Sequence, residues 1–273
     1  GGGGPLEGAA RLHRAGRRPL TVADALHLLA VAVQFLTRIP VPGRVEVRPG
    51  DLRRASALFP AVGLLVAGVG VAVRAGAAQV WGGGVATVAA MTAMMLVTGA
   101  FHEDGLADTA DGLWGGWDPA GRLAIMRDSR IGTYGALALL ASFGLRAALL
   151  LPLGLAGFSR AVVAGHVLGR ASTLLLVRVL PVAAPGSGAE VAGPLGTAGT
   201  LLAAAVTGAA VGVAAGRWWP LPVAAGLLAC GLCAGLFRRR LGGVTGDALG
   251  AANQLTDLAA VAAVAALVRA GHL

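Results

Sequence analysis

The chain has 273 residues, of which 56% are apolar and only 13% charged, with a mean hydropathy of +0.75. Soluble domains carry about a quarter charged residues, so composition excludes an ordinary soluble fold. The net charge of +9 comes from 22 Arg and no Lys; in so apolar a chain these cations mark one membrane face rather than a nucleic-acid surface, and no nucleic-acid partner is expected.

Residues 1–19 are rich in Gly and Arg and read as a tail without stable structure, ahead of a single membrane-embedded domain over 20–273. No cleavable signal peptide is expected, because the first apolar stretch contains Asp24, His27 and Gln34. An opening helix over 21–37 is amphipathic, and interfacial or re-entrant. A basic loop with Arg38, Arg44, Arg48, Arg53 and Arg54 follows. Apolar runs then fall at 56–80, 85–101, 132–153, 157–180, 197–216, 220–237 and 255–268. Most are long enough to cross the hydrocarbon core as helices. In lipid each backbone polar group must be satisfied within its own segment. The fold class expected is therefore an all-α polytopic membrane bundle of about seven transmembrane helices plus the N-terminal helix. Cys230 and Cys233, one turn apart in an apolar run, read as small packing residues, since two thiols do not complete a zinc site.

Threading the seven runs alternately, with the basic loop in the cytoplasm, puts sixteen Arg on that side and only Arg217 and Arg269 opposite. This is the asymmetry that topology demands, provided the opening helix does not cross. The polar loops 102–131 and 238–257 then share one face and can form one site. Within the spans, Arg160, His166 and Arg170 either face a polar cavity or snorkel to the interface.

Six of the 13 acidic residues lie between Glu103 and Asp128. Asp104, Asp108 and Asp111 are spaced i, i+4, i+7, which puts three carboxylates on one helical face. Like charges that close repel, and a hard divalent cation resolves the conflict; Mg²⁺ takes oxygen ligands from one or two carboxylates plus substrate phosphates. The bland alternative, a solvated acidic face, suits a chain with charge to spare, which this one lacks. Arg127-Asp128-Ser129-Arg130, followed by Gly132 at a helix start, has the donors a phosphate needs; taken alone it is equally an ordinary loop anchor. The third piece runs from Gly242 through Thr245-Gly246-Asp247 to Asn253, Gln254 and Asp257. Asp247 and Asp257 enter the membrane boundary, where an acid needs a partner. Acidic ligands facing Arg and Gly-rich cradles describe phosphoryl-type transfer on a diphosphate-activated amphiphile.

Three stretches carry a closer likeness: Phe101 to Gly112, Met126 to Gly135, and Gly243 to Ala251, joined by Phe35-Leu36-Thr37-Arg38-Ile39-Pro40 and Phe59-Pro60-Ala61-Val62-Gly63. In order and spacing they resemble the cobalamin synthases, the adenosylcobinamide-GDP ribazoletransferase family. The resemblance implies that a ribose hydroxyl of α-ribazole, or of its 5′-phosphate, attacks the cobinamide-side phosphorus of adenosylcobinamide-GDP and GMP leaves. It implies Mg²⁺ as the metal, held with the diphosphate by Asp104, Asp108, Asp111 and Asp247. Arg127, Asp128, Ser129, Arg130, Gly132, Thr245 and Gly246 are implied at the phosphates. Asp104, Asp247 and Asp257 form the implied catalytic set, and the location implied is a bacterial plasma membrane, amid its lipid, with the site on the cytoplasmic face. Gln254 is a departure: the family usually has Glu there.

Two other classes compete. A CDP-alcohol phosphotransferase shares Asp104-Gly105 and a nearby Ala, but Asp108 stands where that family's Arg belongs. An ion-coupled transporter predicts acids through the spans and repeated halves; these spans are nearly free of acids. The sequence leaves homo-oligomerisation open.

Overall fold

The computed structural model describes residues 21–273 apart from Arg44 and Pro194. The expected tail at 1–19 lies outside the described residues, as does Arg44 of the basic loop. Thr21 starts helix α1 (Val22–Leu36) with a capping box: its hydroxyl accepts the Asp24 N–H, and the Asp24 carboxylate accepts the Thr21 N–H. Leu28, Val31, Ala32 and Leu36 face inward while Val22 and Leu26 are exposed. Fifteen residues rise only about 22 Å, too little for a span of about 30 Å. The opening helix is amphipathic and does not cross.

The chain continues through α2 (Asp51–Ala55), α3 (Phe59–Thr98), α4 (Phe101–Gly115), α5 (Pro119–Met126), α6 (Thr133–Leu150) and α7 (Leu155–Val179). Then come α8 (Ser187–Val191), α9 (Thr197–Ala215), α10 (Pro220–Arg240) and α11 (Gly246–Arg269). Six segments are long and apolar enough to cross a membrane. The first of them is folded back on itself. Gly82, at φ 74° and ψ 172°, adopts a backbone that only glycine takes readily, and the chain turns back there. Arg74 Nε donates to Thr87 Oγ1 at 3.0 Å, a pair that a straight helix would hold about 20 Å apart. A Cβ on Gly70 would likewise meet the side chain of Met94. Arms 59–81 and 83–98 therefore form a helical hairpin, which stands where the two separate runs 56–80 and 85–101 were expected.

Helices α7 and α11 form the axis of the bundle and are its most enclosed spans, with the α3 hairpin, α4 and α10 packed around them. Gly165 and Gly169 of α7 lie against Asp257 and Asn253 of α11, so small residues let the two backbones approach. Helices α9 and α10 keep Leu201, Leu202, Val213, Leu227, Leu228 and Leu232 exposed, as a lipid-facing surface requires. Cys230 and Cys233 are free and buried.

Two stretches differ from expectation. Residues 102–131 contain α4 and α5 rather than one polar loop. Helix α11 begins at Gly246 rather than 255, so Asn253 and Gln254 join Asp257 inside a span. The run that starts at 255 leaves Asn253 and Gln254 out because hydropathy cannot see that the bundle supplies their polar partners.

The loops segregate cleanly. At one end Arg38 N–H donates to Val97 O at 2.7 Å, and Arg240 Nη2 donates to Leu113 O at 2.9 Å. Ala183 N–H donates to Val244 O at 2.8 Å, and Val244 N–H to Pro181 O at 2.9 Å. At the other end Trp218 stacks on His272 at 4.7 Å, and Arg74 donates to Leu153 O. The first end carries the basic loop, α4, α5 and the start of α11.

Candidate active site

Helix α3 ends with Gly99 and Ala100, both left-handed, with Ala100 N–H donating back to Met95 O at 2.9 Å. This tight turn starts α4 at Phe101 and lays it across the loop end of α11. The crossing is a contact of glycines. A Cβ on Gly105 would sit 2.8 Å from Asp247 O and 3.2 Å from Gly250 Cα; one on Gly250 would sit 3.4 Å from Gly105 Cα. Backbone meets backbone, and two acidic segments far apart in sequence become neighbours.

Asp104 is exposed, while Asp108 and Asp247 are half-buried. Burial pushes the Asp108 carboxyl up to about 6, and the charges of Asp104, Asp247 and Asp111 push it the same way. The carboxylates thus sense one another across the crossing. Among the described residues no three His, Cys, Asp or Glu side chains converge at metal-holding distance. An Mg²⁺ ion that shares its shell with substrate phosphates needs only one or two protein carboxylates. A hard-oxygen donor set with unrelieved like-charge repulsion fits that ion.

Gly105→Ala is expected to force α4 and α11 apart, because the added methyl meets backbone that cannot swing away. A displacement of about 1 Å at the reacting groups costs on the order of 10²-fold in rate. Initial rates measured in detergent well below the variant's unfolding midpoint would check this.

Asp111 departs from its expected metal role. Its Oδ2 accepts the Gly132 N–H at 2.7 Å and its Oδ1 accepts the Gly135 N–H at 2.9 Å. It is buried and committed to the N-terminus of α6, whose unpaired donors it satisfies. Through that bond the Arg127–Gly132 stretch is tied to the helix that carries Asp104 and Asp108. Arg127 and Ser129 are exposed there. Arg130 is engaged by Asp128: its Nη2 lies 2.5 Å from Oδ2 and its Nε 3.0 Å from Oδ1. That guanidinium, with a backbone N–H of Arg130, holds Asp128 down to about 2. The pair is solvent-facing, so an incoming phosphate can compete for Arg130. Thr245 is the N-cap of α11, its hydroxyl accepting the Ala248 N–H at 3.1 Å, and Gly246 is the first residue of that helix. These two shape the helix start beside Asp247.

Asp257 is set apart. Ten residues beyond Asp247 on one helix is about 15 Å deeper in the bundle. It is 1% exposed and clamped: Arg146 Nη1 lies 2.5 Å from its Oδ1, and His166 Nδ1 lies 2.8 Å from its Oδ2. The placement expected at the reacting groups gives way to an ion pair between α6, α7 and α11. Arg146 Nη2 also donates to Gln254 Oε1 at 2.9 Å, and Gln254 Nε2 donates to Glu103 Oε1 at 3.0 Å. Glu103 sits beside Asp104 on α4, so this network anchors the root of the acidic helix to three spans. Gln254 suits it: an amide accepts from Arg146 and donates to Glu103, whereas a carboxylate there would oppose Glu103 unless it kept a proton. Arg170 is 1% exposed and donates to His166 O at 3.1 Å, so it faces inward rather than snorkelling. Arg160 donates to Ala214 O at 3.2 Å. Burial, with the nearby Arg170 guanidinium, holds His102 well below the usual imidazole range, which keeps it neutral. Sequence reasoning missed Arg146, His102 and Glu103 as partners. The signal was a single Arg within an otherwise apolar run, which requires a buried acid somewhere.

No solved structure matches this chain. A family model described as cobalamin-5-phosphate synthase matches residues 28–265. Proteins named adenosylcobinamide-GDP ribazoletransferase are similar to it. One from Leptothrix cholodnii is 42% identical over 248 residues, covering 85% of this chain and 92% of the relative. One from Shewanella woodyi is 42% identical over 241 residues, covering 86% and 93%. One from Ralstonia nicotianae is 40% identical over 241 residues, covering 86% and 93%. The matched region takes in the acidic helix, the Arg127–Gly132 stretch and the start of α11, and the chain belongs to the cobalamin-5-phosphate synthase family.

Proposed function

We propose that this membrane enzyme transfers adenosylcobinamide phosphate from adenosylcobinamide-GDP to a ribose hydroxyl of α-ribazole or its 5′-phosphate, releasing GMP. The observation that carries the reading is the Gly105–Gly250 crossing, which sets Asp104, Asp108 and Asp247 together at the Arg-rich end of the bundle. Among the described residues that end holds Arg38, Arg48, Arg53, Arg54, Arg122, Arg127, Arg130, Arg178 and Arg238 to Arg240. This supports a cytoplasmic site in a bacterial plasma membrane.

Asp104 and Asp108 would hold Mg²⁺, which when bound neutralises the diphosphate and polarises its phosphorus. The acceptor hydroxyl oxygen bonds to the cobinamide-side phosphorus, and the bond from that phosphorus to the oxygen of GMP breaks. Asp247, at the first turn of α11, takes the hydroxyl proton. Arg127, with Arg130 drawn from Asp128, stabilises the charge that collects on the departing GMP. Asp111 holds the Arg loop in place for that contact. Asp257 acts at a distance, by fixing the helices.

Purified protein in detergent, given Mg²⁺ and either adenosylcobinamide-GDP with α-ribazole or a radiolabelled CDP-alcohol with its acceptor, tests the reading. Consumption of the first pair alone is expected. Turnover of the CDP-alcohol would move the protein to the other phosphotransferase class.

The Asp108 value of about 6 gives a further expectation. The carboxyl is charged above that pH and protonated below it, and a cation binds only the charged form. Mn²⁺ affinity in the presence of GDP, followed by electron paramagnetic resonance, should fall as pH drops through about 6 and hold steady above 7. Asp108→Asn should flatten that dependence.

A further inference from the structure

The Phe35 to Pro40 stretch carries family likeness but has no part in the site described above. It lines a cavity of about 410 Å³ at the loop end, bounded by Gln34, Phe35, Arg38, Phe101 and Glu190. Phe35 and Phe101 meet edge to face at 5.3 Å and form an aromatic wall. Gln34, Arg38 and Glu190 are exposed at the rim, and among the described residues their side chains make no hydrogen bond or ion pair. An aromatic wall ringed by a free amide, a free guanidinium and a free carboxylate is the equipment for a flat heterocycle with both donors and acceptors.

We infer that this cavity binds the guanine base of the nucleotide substrate, with Glu190 reading its N1–H and 2-amino group and Arg38 and Gln34 donating to O6 or N7. This rests on the transferase reading given above. Guanine offers two adjacent donors that match one carboxylate and two acceptors that match an Arg or amide. A benzimidazole base has no exocyclic donor and leaves Glu190 without a use. Placement agrees as well. Phe101, Asp104 and Asp108 follow at i, i+3 and i+7, on one face of α4. A base against Phe101 therefore sends its phosphates along that face toward the two carboxylates. The basic loop between α1 and α2 supplies Val47 to the cavity wall.

The test is direct binding of GDP and of inosine diphosphate, which lacks the 2-amino group, to the full chain in detergent with Mg²⁺, by calorimetry. Wild type should prefer GDP by about 10- to 100-fold, the worth of a charge-assisted hydrogen bond. Glu190→Gln should weaken GDP binding and shrink that preference to a few-fold at most. It should also raise KM for adenosylcobinamide-GDP with kcat nearly unchanged. Glu190→Asp, which keeps the charge, should restore part of the preference. Wild-type indifference to the 2-amino group, or an undiminished preference in Glu190→Gln, overturns the assignment. So does a Glu190→Gln defect confined to the KM for α-ribazole. The binding arms need no turnover: a GDP preference lost in Glu190→Gln beside absent transferase activity would sink the function and keep the pocket. Transferase activity with an unmoved preference would do the reverse.

Discussion

Asp104→Ala is expected to lower turnover by about 10³-fold, the several kcal/mol of charge stabilisation that goes with loss of a ligand to the metal-bound diphosphate. Asp104 is exposed, and among the described residues its carboxylate makes no ion pair, so its removal should leave folding and membrane insertion intact. The contrast with Asp111 gives the prediction its edge. Asp111→Asn leaves one amide oxygen to serve two backbone donors that the carboxylate now serves, at 2.7 and 2.9 Å. That change should cost about 1–3 kcal/mol of stability, because a buried N–H loses its acceptor. Thermal unfolding in detergent beside GMP-release rates separates the two. Asp104→Ala should be stable and inactive, Asp111→Asn unstable and partly active. Substantial activity in Asp104→Ala would remove that residue from the metal assignment.

The second large effect lies in the bundle. Arg146→Met should destabilise the protein by about 3–5 kcal/mol, because Asp257 then loses its guanidinium partner in an apolar interior. Asp257→Asn keeps the shape and leaves Arg146 with Gln254, a smaller loss. The double variant Arg146→Met/Asp257→Leu should recover much of the stability of Arg146→Met, since a buried pair replaced by apolar groups is often tolerated where a broken pair is not. Its activity should stay low, as Gln254 and Glu103 lose the anchor that fixes α4. Unfolding midpoints of the three variants, read against wild type, check the order. Equal stability of Arg146→Met and wild type would show that Asp257 is solvated or protonated, not clamped.

These two sets of residues show what the sequence reveals. The polytopic helical bundle was legible because hydropathy, length and the Arg asymmetry all report on the same constraint, the apolar slab. Gly82 itself was not singled out, but its Gly-rich surroundings separated two expected runs. The acidic cluster was legible as well, since Asp104, Asp108 and Asp111 recur at helical spacing in a chain with little charge. Their division of labour was not. Spacing puts Asp111 on the same face as the others, but only the path of α6 shows which side chain meets its N-terminus. Asp257 was misplaced for a related reason. A hydropathy profile scores each residue alone, and Arg146, His166 and Asp257 are each unfavourable alone but compatible together. Gln254 stood out as a departure from the family pattern, and its place between Arg146 and Glu103 gives that departure a physical role. The Gly105–Gly250 crossing could not be read either, because close approach depends on a pairing 145 positions apart in the chain.

The central claim is that α4 and α11 build one cation-dependent site for diphosphate transfer. Its most direct test combines purified wild-type protein in liposomes with adenosylcobinamide-GDP and α-ribazole, and follows GMP and the cobalamin product with and without Mg²⁺. GMP release that matches product formation one for one, and stops when Mg²⁺ is chelated, is the result predicted. GMP release that persists without a divalent cation, or no GMP release with both substrates and Mg²⁺ present, would contradict it.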